Sequence, residues 1–269
     1  MRWLIIDRLY NAEAYTWGHL DSYGHYIEAM GHEVDRFDMS GARKFAVLEP
    51  PYDVVFALEG YDFALTVPAK KRIAQVACDL EVPRGFDAIV SSIPAMVEKY
   101  KARGDNAIYQ PLAFDVRARV AGMGVARDLD CIFIGTVGPN HRRRTELLRE
   151  LSDVVTVMPP VFGREYFKTL ARAKVVFNVH AEWSQGAANN MRMFEAAGMG
   201  CQLVSDGYFT GEIEHIFGWH FGPMIPARRQ IQEALSVDPM DWQDDQSIVL
   251  THHTYESRIP RLIELARSL

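Results

Sequence analysis

Short apolar runs recur along this chain and alternate with longer segments of helical periodicity. Trp3, Leu4, Ile5 and Ile6 predict a buried first strand that ends at Asp7. A polar, aromatic loop follows, then a helix over residues 19–30 stopped by Gly31 and a second strand over 33–37. Further strands are predicted at 53–58, 72–77, 88–91 and 106–109, with a turn at Gly60 and a helix over 93–102 closed by Gly104. The pattern breaks over 116–128, where Gly122, Gly124 and scattered charges predict a linker. A second series then begins: strand 131–134, helix 145–151, strand 154–158, helix 166–173, strand 174–177, a helix from 191 and a strand over 201–204. Strands alternating with helices imply right-handed crossovers and parallel sheets. The predicted class is α/β with two Rossmann-like, doubly wound domains, over 1–118 and 119–250. An amphipathic helix in 251–269 carries Ile259, Leu262, Ile263 and Leu265.

The segment from Asn178 to Asp206 concentrates the chemistry. Asn189 or Asn190 is a good helix N-cap, Met191, Phe194 and Ala197 follow at helical spacing, and Gly198 and Gly200 stop the helix. Arg192 and Glu195 fall one turn apart and share a face. One reading makes them an exposed ion pair. The other uses the helix N-terminus at the carboxyl edge of a parallel sheet, where phosphate binds, with Arg192 on a diphosphate and Glu195 on a sugar hydroxyl pair such as a ribose. Spacing alone leaves both open.

Other candidates surround this helix. Gly135-Thr136-Val137-Gly138 turns from a strand into a helix, so backbone N–H groups there can approach an anion. Arg142, Arg143 and Arg144 follow, either a solvated basic helix start or, through Arg142 or Arg144, a diphosphate clamp. Asn178 and His180 end a central strand and lead into the polar loop Glu182-Trp183-Ser184-Gln185-Gly186, whose Trp183 can stack on a sugar or base. Asp206-Gly207-Tyr208 is a second edge loop of this kind. In the first half several side chains could act as a general base. The candidates are Glu13, His19, Asp21 and His25, with His19, beside Gly18, preferred. There is no Asp-x-Asp motif and no His/Cys ligand spacing, and Asp241, Asp244 and Asp245 read as an exposed acidic stretch, so no metal is expected.

The run Asn190-Met191-Arg192-Met193-Phe194-Glu195-Ala196-Ala197-Gly198-Met199-Gly200 resembles the signature helix of the spore-maturation-protein-like (CgeB-type) glycosyltransferases of the GT-B group. Residues 86–94 and 110–115 and the pattern His253-Thr254-Tyr255-x-x-Arg258 resemble the same family. The resemblance implies two Rossmann-like domains facing a cleft, with the C-terminal helix crossing back to the first. It implies transfer of a sugar from a nucleotide-diphosphate sugar, a UDP-sugar first, to a hydroxyl acceptor, with no cofactor beyond that co-substrate. Glu195 would hold the donor ribose. The wider group often has a second Glu eight positions earlier, where this chain has Ala187.

Composition narrows the alternatives. With 269 residues and 48% hydrophobic content, two small domains have ample material for cores. A net charge of −6 argues against a general nucleic-acid binder, although Arg142–Arg144 and Arg228-Arg229 keep a modified DNA base open as acceptor beside a glycan, a protein or a small molecule. Cys78, Cys131 and Cys201 lie in or beside apolar runs and read as reduced thiols of a cytoplasmic protein. The N-terminal apolar run is too short for a signal peptide, and no stretch reaches membrane-spanning length. Two other readings stay in play: a non-catalytic nucleotide- or sugar-binding protein of the same fold, and a Rossmann oxidoreductase. The latter lacks its Gly-x-Gly-x-x-Gly turn after the first strand.

Overall fold

The computed structural model describes residues 1–9, 11–41, 48–77, 81–180, 190–206, 219–237 and 243–269. Cys78, Asn189 and Asp241 lie outside them, as do the loop 182–187 and Gly207-Tyr208. The chain forms two compact units, Met1–Pro111 with Tyr255–Leu269, and Leu112–Thr254.

In the first unit the order is β1 (Arg2–Asp7), α1 (His19–Ala29), β2 (Glu33–Asp38), β3 (Tyr52–Ala57), α2 (Tyr61–Thr66), β4 (Ala69–Val76), β5 (Ala88–Ser91), α3 (Pro94–Ala102) and β6 (Ala107–Tyr109). The strands pair in parallel in the order β2-β1-β3-β4-β5-β6. Chain direction across the sheet reverses between β1 and β3, which makes their carboxyl ends the switch point. Trp3, Leu4, Ile5 and Ile6 are all fully buried, which explains their unbroken apolar run: helices cover both faces of a parallel sheet.

The second unit contains β7 (Leu129–Phe133), α4 (Arg142–Glu150), β8 (Thr156–Val157), α5 (Gly163–Arg172), β9 (Ala173–Asn178), α6 (Met191–Gly198), β10 (Gln202–Ser205), β11 (Trp219–His220), α7 (Ala227–Ser236) and α8 (Gln243–His252). Its parallel sheet runs β11-β10-β9-β7-β8, so the switch point lies between β7 and β9. The two ends of the unit are stitched together, with Phe114 N–H donating to His253 O at 2.8 Å. The last helix, α9 (Tyr255–Ser268), packs in the first unit against α1. Tyr255 meets the Tyr23 ring edge-on at 5.0 Å, and Lys71 Nζ donates to Ala266 O at 2.6 Å. No helix among the described residues is long and apolar enough to cross a membrane.

Several elements depart from expectation. The segment read as a linker folds in part: Val116–Gly122 is a 3₁₀ helix with Ala118 and Ala121 buried at its three-residue spacing. Helices α2, α7 and α8 and strand β11 had no predicted counterpart; α2 was read as a bare turn at Gly60, which is its left-handed N-cap. The strand expected over 154–158 shrinks to two exposed edge residues. Gly198 does not stop α6, which runs through it to the cap Met199, with Gly200 left-handed at φ +73°. Gly198 is small for packing: a Cβ there would lie 2.4–2.6 Å from the buried Phe114 ring. Cys131 and Cys201 are buried free thiols, and burial pushes Cys131 up to about 12.

Gly198→Ala is expected to lower stability by about 1–3 kcal/mol through overpacking, despite Ala's better helix propensity. Urea denaturation measures this, and an unchanged midpoint would refute the packing role.

Candidate functional site

At the switch point of the second unit, Asn190 caps α6 with its side-chain oxygen, which accepts the Arg192 N–H at 2.9 Å. Arg192 then reaches back over the sheet. Its Cζ lies 5.0 Å from the centroid of the buried Phe133 ring at the end of β7, and its Nη1 donates to Asn178 Oδ1 at 2.8 Å. Asn178 closes β9, is fully buried, and ties its own amide to Ser205 Oγ at 2.9 Å. The guanidinium occupies the space a side chain at position 135 would need: a Cβ on Gly135 would stand 2.5 Å from Arg192 Nη2. That requirement and a backbone φ of +158° both call for glycine here.

Arg144 supplies a second cation to the same ring, its Cζ 5.6 Å from the Phe133 centroid. It is buried, and its nitrogens donate to Thr136 O at 2.8 Å and Val179 O at 2.9 Å. Arg192 has no carboxylate partner among the described residues. Two guanidiniums thus lie within 5.6 Å of one aromatic ring beside an exposed Thr136, an arrangement suited to an anion. Arg142 is not part of it. Its side chain is 85% exposed and pairs with Glu146 one turn along α4. Gly138 also stands apart, its N–H donating to Thr145 Oγ1 at 3.1 Å.

Glu195 does not pair with Arg192 as the exposed ion-pair reading required. It is buried, and Tyr166 of α5 donates to its Oε2 at 2.5 Å. Burial raises its affinity for a proton, against the Tyr166 hydrogen bond and the Arg192 charge, so the carboxyl stands above its ordinary range. Burial and the adjacent Glu195 likewise push the Tyr166 phenol up. His180, one residue beyond Val179, is buried on the same edge, with its backbone N–H and its Nδ1 each 2.8 Å from Asp206 Oδ1. Among the described residues no group of three or more His, Cys, Asp and Glu is arranged to hold a metal ion.

The first unit carries the proposed base candidates. Glu13 is exposed on a 3₁₀ turn, Ala12–Tyr15, and His19 opens α1, with its ring 6.3 Å from Tyr23. No hydrogen bond joins the two among the described residues. Dense protein around His19 pushes it down to about 4 by desolvation, so it is neutral at pH 7 and a weak base. Asp7, at the carboxyl end of β1, behaves oppositely. Burial raises it to about 7, with the Glu59 and Asp38 charges adding and the Arg8 N–H bond opposing, although part of its surface reaches solvent. Such a carboxyl exchanges protons readily at neutral pH.

Sequence reasoning singled out Asn178, Arg192, Arg144, Gly135 and Thr136, which the structure brings together with the Asn190 cap. It missed Phe133, Tyr166, Arg143 and Asp7. Phe133 and Tyr166 read as ordinary core residues because their partners lie far along the chain. Asp7 had one signal, an acid closing a central strand at the ligand-binding edge.

A family model described as glycosyl transferase-like matches residues 115–264. Solved structures share the fold at low identity. AviGT4, a glycosyltransferase involved in avilamycin A biosynthesis, is 14% identical with a TM-score of 0.70, over 100% of this chain and 98% of that one. Sucrose-phosphate synthase from Thermosynechococcus elongatus is 13% identical with a TM-score of 0.65, over 100% and 98%. The DNA-modifying enzyme β-glucosyltransferase is 11% identical with a TM-score of 0.59, over 100% of both chains. At these identities the likeness is one of fold. None of the curated proteins matches the sequence.

Because the folded state raises Asp7, its stabilising contribution is complete below the unfolded carboxyl range near 4 and is lost as pH rises through about 7. Asp7→Asn is therefore expected to match wild type near pH 4 and exceed it by about 1–2 kcal/mol at pH 8, allowing for solvent screening. Thermal denaturation across that range tests this, and a pH-independent difference would contradict it.

Proposed function

The chain belongs to the glycosyl transferase-like family, and from that premise we propose that it moves a sugar from a nucleoside-diphosphate sugar to a hydroxyl acceptor without a metal ion. The comparisons favour a glycosyltransferase over an oxidoreductase or a non-catalytic binding protein of the same fold. The finer assignment to the CgeB-type branch is supported by the run from Asn190 to Gly200.

Arg192, laid on Phe133 and held by Asn178 over the Gly135 turn, is the observation that carries this reading. Arg192 and Arg144 take the donor diphosphate, and the α6 N-terminus adds its dipole. A cation fixed there stabilises the charge that gathers on the leaving nucleotide, and it is in place before the reaction begins. Glu195, one turn further along α6 and braced by Tyr166, takes the ribose hydroxyls with its second carboxylate oxygen. The acceptor is a glycan, a small molecule, a protein or a hydroxymethylated DNA base, met by the first unit. Of the groups there, Asp7 is matched to proton transfer near pH 7 and His19 is not. The β-glucosyltransferase neighbour takes uridine diphosphoglucose, so UDP-glucose is the first donor to test. The two buried free thiols support a cytoplasmic setting.

A ligand bound only by the folded state raises the melting temperature. Among uridine, guanosine, adenosine and cytidine diphosphates, one is expected to stabilise wild type by several degrees. Arg192→Ala and Glu195→Ala are each expected to abolish that shift. An unchanged shift in both variants would place the nucleotide elsewhere.

A further inference from the structure

Asp206 follows β10 directly and is buried. Its Oδ1 accepts both the backbone N–H of His180 and the Nδ1 side of the ring, each at 2.8 Å. Its Oδ2 accepts from Arg143 Nη1 at 2.5 Å. Desolvation alone would raise this carboxyl, but the His180 and Arg143 hydrogen bonds outweigh it and hold Asp206 below the usual carboxylate range. An ionised carboxylate can only accept, so the proton shared with the ring belongs on Nδ1. In the neutral ring that leaves Nε2 as a lone pair. The Nε2 atom is buried and has no hydrogen-bond partner among the described residues. A buried polar atom without a partner costs free energy, which a donor group bound beside it offsets.

The surroundings say what kind of group fits. The preceding carbonyl, Val179 O, is the anchor of Arg144, and Asn178 anchors Arg192. Phosphate oxygens are answered by those two guanidiniums, whereas a bare nitrogen repels an anion and accepts from a hydroxyl. We propose that Asp206 is a positioning residue that locks His180 with its proton on Nδ1, so that Nε2 takes a hydroxyl of the donor's sugar. Arg143, which the basic run offered only as a solvated cation, steadies Asp206 from the far side and does not touch the nucleotide. The sugar contact rests on the nucleotide-sugar reading above; the tautomer does not.

Two measurements on the full chain test this separately. In the first, ¹⁵N-histidine spectra at pH 8 report which ring nitrogen is protonated, with His180→Asn identifying the His180 signals by their absence. Wild type is expected to show Nδ1–H, and Asp206→Ala to move the proton to Nε2, the tautomer preferred by free histidine. An Nε2–H signal in wild type would overturn the positioning role. The second compares affinities of UDP, GDP, ADP and CDP with those of their glucose esters. His180→Asn keeps a partner for Asp206 but has no atom at the Nε2 position. It is expected to leave diphosphate binding unchanged while cutting the extra affinity of the glucose ester about tenfold. Combining it with Asp206→Asn should add nothing further, because Asp206 acts through the ring. Equal loss for diphosphate and ester, or additive losses in the double variant, would overturn the sugar contact. Wild type that binds none of the diphosphates would instead overturn the parent reading, with the tautomer result still standing.

Discussion

One guanidinium set over one buried ring organises the second half of this molecule. Arg192 cannot occupy that position unless residue 135 lacks a side chain, residue 178 offers an oxygen, and the first turn of α6 is capped so that the helix points its start at the sheet edge. Each condition is met by a residue of the required type. Arg144 on the same ring brings a second positive charge into a partly dry setting, where like charges repel more strongly than in water. An anion bound there would relieve that repulsion.

The location follows from topology. Parallel strands end together, and where chain direction reverses the connecting loops part and leave room. The gap between β7 and β9 receives Gly135 from one strand and Asn178 through His180 from the other. Around it the buried acids come with partners: Glu195 with Tyr166, and Asp206 with His180 and Arg143. These bonds hold Glu195, His180 and Asp206 to partners from other elements, as preorganisation of the proposed site would require. Asp7 in the first unit differs in its partners: burial raises its proton affinity, and its charged neighbours Glu59 and Asp38, both acids, add to the rise.

Much of the architecture was legible before any coordinates. Strands of unbroken Val, Ile and Leu, separated by helices that end at glycine, announce parallel sheets, and β1, β5 and β9 lie where their apolar runs do. The missing elements were those whose partners hide the pattern. Helix α7 buries only Ala227, Ile231 and Ala234, too sparse a stripe to stand out, and the 3₁₀ turn after Asp115 was masked by its glycines. In the site, spacing identified Arg192 and Glu195 but left their relation open. Two residues one turn apart share a face, yet each bonded to a partner from another element, Asn178 on β9 and Tyr166 on α5. Among the three consecutive arginines, helical rotation sends Arg142 outward, Arg143 to Asp206 and Arg144 inward, and only the fold shows which is which.

The most direct test moves the guanidinium without removing its charge. In Gly135→Ala the new methyl group claims the space of Arg192 Nη2 and displaces it from Phe133. Titration calorimetry with the stabilising nucleoside diphosphate should then show a loss of affinity as large as that of Arg192→Ala, at an unchanged far-ultraviolet circular dichroism spectrum. Undiminished affinity in Gly135→Ala would contradict the account.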